Sequence, residues 1–278
     1  MSGNMLQKLA HPLRAAVIKL GGSVVTDKGS ARLSICTQRI HRLALEIKEA
    51  GLRQLVLVSG AGSYGHRIVA KTGIDKGVYD ANDLLAWAET QRLQYLLSAA
   101  ISDIFIQVGL PVLLVQASAS AIMRGGQLHD MDSAVCRGIL DQGAIPFLYG
   151  VPAWDKAQGC SILSGDQIAP FLGIKLGITN IIYATDVDGV YDRAPGLPDA
   201  RRIAEINADN WPQVQNKLKG SSHVDVTGGM AGKVDALMQV ARQGLRARII
   251  DATIKRRLYQ ALQGEEVGSL LRWEESRS

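Results

Sequence analysis

Residues 15–23 read AAVIKLGGS, an apolar strand that runs straight into two glycines and a serine. The pattern returns in residues 55–66, LVLVSGAGSYGH, where a second apolar strand ends in a turn with three glycines. Because glycine carries no side chain, such turns leave backbone N–H groups uncovered for an anion. Two turns of this kind, with Lys19, Lys28 and His66 placed at them, predict a site that holds two phosphate groups at once.

Strand-like and helix-like segments alternate along nearly the whole chain. The predicted helices cover residues 37–50, 84–108, 133–142, 167–176, 233–243 and 254–263. The predicted strands cover residues 17–20, 55–58, 111–116, 145–149, 180–184 and 246–250, with a hairpin over 154–162. The 278 residues are 47% hydrophobic but only 5% aromatic, which favours a large aliphatic core. Together these features predict an α/β fold of three layers with a mainly parallel sheet.

Composition argues against several classes of protein. The net charge of +5 is modest, and the one basic cluster, residues 255–257, is interpreted as a solvated helix face, so no nucleic-acid partner is expected. No run of eighteen apolar residues occurs, so no membrane partner is expected either. The three cysteines are far apart and lack zinc or CxxC spacing, which predicts a reducing, cytoplasmic compartment and no protein metal site.

Two familiar nucleotide motifs fit the chain poorly. Residues 60–65 match GxGxxG, but a dinucleotide-binding enzyme needs a second strand about 20 residues later that ends in an acidic residue. Here residues 78–87 are polar and then helix-patterned, so a dehydrogenase is disfavoured. Gly232-Lys233 is not an ATP P-loop, because Val234 follows it in place of serine or threonine.

Three further segments carry charged residues at predicted turns. Asp166 follows Ser164-Gly165 at the start of a helix, as a helix cap or as a partner for a cation. Residues 184–191, ATDVDGVY, place acidic side chains after a strand. Residues 225–230, DVTGGM, form a third glycine turn with Lys233 one helical turn later, an arrangement that suits a nucleotide phosphate.

Together these segments resemble the amino acid kinase family, and most closely its isopentenyl phosphate kinase branch. The resemblance extends from residue 15 to residue 273 and rests on KLGGS (19–23) with Lys28, GAGSYGH (60–66), LSGDQ (163–167), ATDVDGVY (184–191) and TGGMAGK (227–233). The histidine is the specific part, because relatives that phosphorylate carboxylates or carbamate lack it. Two departures from the pattern of the branch, Ala61 and Val151-Pro152 after Gly150, both fall on the acceptor side.

The resemblance implies an ATP-dependent kinase with an open αβα sandwich that converts isopentenyl phosphate to isopentenyl diphosphate. It implies that Mg²⁺ arrives with ATP. It implies catalytic roles for Lys19, Lys28, His66 and Asp166. It implies nucleotide contacts from Lys19, Gly21, Gly22, Ser23, Gly62, Thr185, Asp186, Tyr191, Gly229 and Lys233. It implies acceptor contacts from Ala61, Gly65, His66 and Gly150.

The expected organisation is a flexible extension over residues 1–14 and a single domain over 15–278, with an acceptor lobe (15–163) and a nucleotide lobe (164–278). A homodimer is expected. The apolar face of the helix over 84–108, including Leu93 and Leu97, is expected to wall the slot for the acceptor's tail. Two alternatives stay open: a kinase of another small phosphate or phosphonate such as fosfomycin, and a nucleotide-binding sensor without catalysis.

Overall fold

The computed structural model describes residues 11–27, 33–193, 195, 197–219 and 229–274, with the backbone alone at 219 and 229–232. Its helices are α1 (Gly22–Val25), α2 (Thr37–Ala50), α3 (Gly62–Thr72), α4 (Ala81–Gln107), α5 (Ala134–Asp141), α6 (Gly165–Leu176), α7 (Trp211–Lys219), α8 (Gly229–Ala241) and α9 (Arg257–Leu262). Its strands are β1 (Ala15–Leu20), β2 (Gln54–Ser59), β3 (Val112–Leu114), β4 (Ala121–Arg124), β5 (Gln127–Met131), β6 (Ile145–Tyr149), β7 (Val151–Asp155), β8 (Gly159–Leu163), β9 (Asn180–Thr185), β10 (Val190–Tyr191), β11 (Arg202–Ile203), β12 (Glu205–Ile206), β13 (Arg246–Asp251) and β14 (Ser269–Leu271).

The main sheet has eight strands in the order β12-β14-β13-β9-β1-β2-β6-β3. All neighbours are parallel except β13 and β14, so the prediction of a mainly parallel sheet is confirmed. Strand β1 lies between β2 and β9, where the chain changes its direction of travel across the sheet. Open α/β sheets bind ligands at the carboxyl ends of the strands at such a point.

Side chains of the central strands alternate between two hydrophobic layers. Ala16, Ile18 and Leu20 of β1 pack in one layer with residues of α2, α4 and α9. Val17 packs in the other layer with residues of α5, α6, α7 and α8. Helices therefore cover both faces of the sheet, which confirms the αβα sandwich. Lys19 is the one charged residue of β1 and lies on the same face as Val17.

A second sheet has four strands in the order β5-β4-β7-β8 and consists of two hairpins, β4–β5 and β7–β8. The β7–β8 hairpin confirms the one expected over 154–162, whereas the β4–β5 hairpin was not predicted. The Asp155 carboxylate accepts N–H bonds from Gly125 (2.9 Å), Gly126 (2.8 Å) and Ala157 (2.8 Å). Burial alone would raise the pKa of Asp155, but these donors lower it to about 2. The ionised carboxylate thus fixes both hairpin turns at neutral pH.

Residues 11–14 do not behave as the free end of an extension. The N–H of Leu13 donates to the carbonyl of Leu262 at the end of α9 (2.8 Å), and the Leu13 side chain packs against the core. The prediction of a flexible segment through residue 14 is therefore wrong for these residues, because an apolar side chain and a paired amide hold them. Residues 1–10 lie outside the described part of the chain.

The rest of the protein covers only part of the apolar surface of helix α4. Leu85 and Leu96 are 70% and 52% exposed, whereas Leu97 is fully buried. The buried stripe also includes polar residues, among them Thr90 and Gln94. The helix is apolar on several sides, so its contacts with α2 and α3, and not its own pattern, decide which side is covered.

Candidate active site

The two glycine turns follow the neighbouring strands β1 and β2 and meet at one edge of the sheet. The N–H of Gly60 donates to the carbonyl of Leu20 (2.8 Å), which joins the turns at their base. A Cβ on Gly22 would lie 2.8 Å from the Cα of Gly62, so the backbones of the two turns are in contact. Only glycine permits this approach.

Each turn continues into a helix, α1 or α3, whose first N–H groups have no carbonyl partner within that helix. Gly22 and Ser23 open α1, and Gly62 opens α3. Gly21 needs a correction, because its N–H already donates to the carbonyl of Ala184 (2.8 Å) and serves the sheet. The expectation that the Gly21 amide faces a phosphate is therefore wrong.

Lys19 is 6% exposed and reaches from β1 toward the start of α6. Its Nζ lies 2.9 Å from Oδ1 of Asp166, in the first turn of that helix. The other carboxylate oxygen lies 3.7 Å from Nζ of Lys233, on α8. A Cβ on Gly165 would lie 3.4 Å from Cε of Lys19, so the lysine passes directly beside the helix terminus. One carboxylate therefore holds two ammonium groups that come from different elements.

The charges in this cluster are coupled. Burial would raise the pKa of Asp166, but Lys19 and Lys233 hold it below its usual value, so the carboxylate is ionised at neutral pH. Burial and the charge of Lys19 lower the pKa of Lys233, while Asp166 and Asp186 oppose that shift. Two cations on one anion leave a net positive charge, which suits a phosphate chain.

A cavity of about 540 Å³ opens beside the second turn. Ala61, Gly65, His66 and Gly150 all line it, so the structure brings the four predicted acceptor residues together. Gly150 itself is held by an N–H bond to the carbonyl of Ser59 (2.9 Å). His66 lies in the second turn of α3 with an exposed side chain.

The apolar part of the cavity wall comes from α3 and the β7–β8 hairpin, through Val69, Ala70, Val151, Pro152 and Ile162. Helix α4 contributes Thr90 and Gln94 in place of leucines. Leu97 packs into the core of the protein, and Leu93 does not line the cavity. The expectation that these two leucines wall the slot is therefore wrong.

The other predicted nucleotide residues lie between the end of β9 and β10, and on α8. The Thr185 hydroxyl donates to the carbonyl of Val187 (2.9 Å) and so fixes the turn itself. Asp186 is exposed beside it, and Tyr191 is half-buried in β10. Gly229 opens α8, four residues before Lys233.

Lys28, Thr227 and Gly228 lie outside the described residues, so their predicted roles stay predictions.

Three residues near the site were not singled out from the sequence: Thr26, Thr90 and Gln94. Gln94 is fully buried and its amide nitrogen lies 3.3 Å from the carbonyl of Ala61. The Thr26 hydroxyl contacts both turns. Thr26 lies two residues before Lys28 in the sequence, and that was the one sequence feature that pointed to any of the three. The contacts of Thr26 with Ser63 and of Gln94 with Ala61 join distant segments of the chain, so local sequence does not reveal them.

The described residues contain no group of three or more histidine, cysteine or acidic side chains placed to hold a metal ion. Asp166 already contacts two lysines, so it does not fit as a ligand in a protein cage for Mg²⁺. In the same part of the chain, no helix combines the length and the apolar character that crossing a membrane requires.

A buried lysine and a half-buried lysine on one carboxylate, two glycine turns and an adjoining cavity suit the transfer of a phosphoryl group.

Several known proteins are similar to this chain in sequence and in structure. The isopentenyl phosphate kinase of Methanothermobacter thermautotrophicus is 34% identical, over 90% of this chain and 96% of its own length. The enzyme of that name from Methanocaldococcus jannaschii is 31% identical, over 91% and 96%. A solved structure described as isopentenyl phosphate kinase superposes with a TM-score of 0.80 at 32% identity, covering 92% of this chain and 99% of that one.

The model of the amino acid kinase family matches residues 14–251. That range takes in both glycine turns, Asp166 and Lys233, which is to say every part of the cluster just described. The match spans well over half of the 278 residues, and the chain therefore belongs to the amino acid kinase family.

Proposed function

We propose that this protein transfers the γ-phosphoryl group of ATP to isopentenyl phosphate and so forms isopentenyl diphosphate. The observation that carries the proposal is the Lys19–Asp166–Lys233 cluster, at the edge of the sheet where two glycine turns meet beside the His66 cavity. The names of the relatives at 34% and 31% identity support the choice of acceptor.

The proposed reaction needs no general base. The second pKa of a phosphate monoester is near ~6, so the acceptor is largely ionised at neutral pH. One of its oxygens attacks the γ-phosphorus and forms a new P–O bond. The bond from that phosphorus to the β–γ bridging oxygen breaks, and ADP leaves with the electron pair. The enzyme then has to position two anions and neutralise their charge.

The described residues divide between the two substrates. We place ATP on the side of α8 and the β9 loop, with Lys233, Asp186, Tyr191 and the start of α8 around its phosphates and base. Lys19 lies between the two sides, where Asp166 keeps its ammonium group in place. The amides of Gly22, Ser23 and Gly62 face the transferring group. Mg²⁺ would arrive with ATP and would neutralise part of the charge on its phosphates.

The acceptor occupies the cavity of about 540 Å³. His66 and the second turn hold its phosphate, and the apolar side chains of α3 and the β7–β8 hairpin cover its tail. A five-carbon chain gains about 0.8 kcal/mol for each buried CH₂ group. The proposed division into an acceptor lobe and a nucleotide lobe fits this arrangement, because β8 ends at Leu163 and α6 begins at Gly165.

Replacement of His66 by alanine tests the acceptor site. We expect kcat/KM for isopentenyl phosphate to fall about 10- to 100-fold, as for a lost hydrogen bond to a charged group, while ATP binding stays near wild type. Glutamine at position 66 keeps a donor and should recover part of the loss. The measurement is a coupled ADP assay with isopentenyl phosphate, longer prenyl phosphates and fosfomycin as acceptors.

His129→Ala is the matched control, since that histidine is exposed on β5 and does not line the cavity. Weaker ATP binding with an unchanged acceptor KM in His66→Ala would show that the two turns are assigned the wrong way round. Turnover of fosfomycin but not of prenyl phosphates would show that the acceptor is a phosphonate and not isopentenyl phosphate. ATP binding without turnover of any acceptor would favour a sensor.

Lys28 is proposed to stabilise the transferring group in the transition state. A contact made mainly in the transition state lowers kcat when it is lost. We expect Lys28→Ala to lower kcat by about 100-fold or more, with the KM for ATP little changed. Lys71→Ala, at an exposed lysine of α3, serves as the control in the same steady-state assay. A near-normal kcat in Lys28→Ala would remove this lysine from the mechanism.

A cytoplasmic homodimer is also proposed. Leu84, Leu85 and Leu96 of α4 are exposed, and so are Leu113 and Leu114 of β3, the edge strand of the main sheet. Exposed apolar residues on a helix and on an open sheet edge are typical of an interface between subunits. Sedimentation velocity tests this proposal, and a monomer at every concentration would contradict it.

The three unpaired cysteines support a reducing compartment.

A further inference from the structure

The hydroxyl of Thr26 joins the two glycine turns. Its Oγ1 donates to the carbonyl of Gly22 in the first turn (2.8 Å) and accepts the N–H of Ser63 in the second (3.0 Å). Thr26 is 1% exposed, so neither bond is exchanged readily for one to water. A single hydroxyl group thus bridges α1, which follows β1, and α3, which follows β2.

The methyl group of Thr26 fills the remaining space between the turns. A Cβ on Gly62 would lie 2.7 Å from Cγ2 of Thr26 and would overlap its hydroxyl. Gly62 has a φ of +52°, a conformation that brings its backbone against this side chain. The second turn therefore has no room to move toward the first while Thr26 is in place.

Thr26 also pairs with the segment that leads into α2. It forms an isolated antiparallel bridge with Ile35, and the N–H of Asp27 donates to the carbonyl of Ser34 (3.1 Å). These contacts fix the backbone of Thr26 and Asp27 against residues 34 and 35. The Thr26 side chain is therefore held in place from the backbone side while it contacts the two turns.

We propose that Thr26 is a positioning residue that sets the separation of the two anion-binding turns, and with it the distance between the phosphoryl donor and the acceptor phosphate. This inference rests on the proposed function, because it concerns the same site. Thr26 touches neither substrate in the proposal and acts through Gly22 and Ser63. A displacement of about 1 Å between reacting groups is enough to slow a transfer about 100-fold.

The test compares Thr26→Val with Thr26→Ser. Valine keeps the shape of threonine but removes both hydrogen bonds, whereas serine keeps the hydroxyl and loses the methyl group. We expect Thr26→Val to lower kcat about 10- to 100-fold while the KM values for ATP and acceptor change less than about threefold. Thr26→Ser should retain kcat within about threefold of wild type, because it restores the bridge.

Ser98→Ala is the control for removing a buried hydroxyl. Ser98 is fully buried on α4, and its Oγ has no hydrogen-bond partner among the described residues. Its loss should leave kcat and the melting temperature near wild type. Melting curves of all variants report the folded fraction, and kcat is expressed per folded molecule.

A Thr26→Val enzyme with wild-type kcat per folded molecule would overturn the proposal, as would a loss in Thr26→Ser equal to that in Thr26→Val. A purely structural role predicts a lower melting temperature with no selective loss of kcat. Failure of the wild-type protein with isopentenyl phosphate would overturn the proposed function alone. The Thr26 comparison is then made with whichever acceptor of the panel is turned over.

Discussion

Replacement of Lys19 by methionine is expected to lower kcat about 100- to 1,000-fold, the range for loss of one group that stabilises developing charge. Methionine matches the aliphatic stem of lysine, so β1 and its hydrophobic layer stay packed. The substitution removes one of the two cations that contact Asp166, and Lys233 at 3.7 Å is left as the other. Steady-state kinetics and calorimetric titration with ATP separate the loss of rate from a loss of binding.

Lys175→Met is the matched control for this experiment. Lys175 lies on α6, the helix that carries Asp166, but its side chain is exposed and stacks over the ring of Phe171. The kcat of the Lys175→Met variant should stay within about twofold of wild type, because an exposed cation contributes little to the electrostatics of the site. A Lys19→Met enzyme that keeps more than about a tenth of the wild-type kcat would contradict the assigned role.

Substitution of Gly62 by alanine is expected to have the second large effect. The backbone at Gly62 has a φ of +52°, which costs a non-glycine residue about 1–2 kcal/mol. The added methyl group would also overlap Thr26 and force the two turns apart. We expect kcat/KM for the acceptor to fall about 100-fold or more, together with a lower melting temperature.

Gly73→Ala isolates the backbone part of that effect. Gly73 ends the same helix, α3, with a φ of +76°, but nothing lies within 4 Å of an added Cβ. The free energy of unfolding of the Gly73→Ala variant should therefore fall by about 1–2 kcal/mol, while its activity stays near wild type. Equal losses of activity in the two variants would show that contact between the turns does not matter for catalysis. Chemical denaturation and the coupled assay supply both measurements.

Helix α4 shows where a local pattern stops being informative. Its leucines predicted an apolar face toward the acceptor, yet Leu85 and Leu96 are exposed and the cavity meets Thr90 and Gln94. Amphipathic periodicity identifies a helix but selects a buried face only when one side alone is apolar. Here several sides are apolar, and the packing of α2 and α3 decides which of them is covered.

Local sequence was sufficient for six of the eight strands of the main sheet, for both glycine turns and for the position of Lys19, because each depends on residues a few places apart. An apolar run bounded by glycines is an extended segment followed by a turn whatever surrounds it. The alternation of such runs with helices was then enough to predict a mainly parallel sheet between two helical layers. Membership of the amino acid kinase family follows from motifs of the same local kind.

Only the tertiary structure decided which of these residues work together. Lys19, Asp166 and Lys233 are separated by more than 60 residues at each step, and the sheet order together with the packing of α6 and α8 brings them within 4 Å. The amide of Gly21 is taken by Ala184, a partner from another strand. Thr26 bridges two turns that follow different strands. Such contacts depend on distances across the fold, and these are set by close packing of the whole core and not by any single stretch of chain.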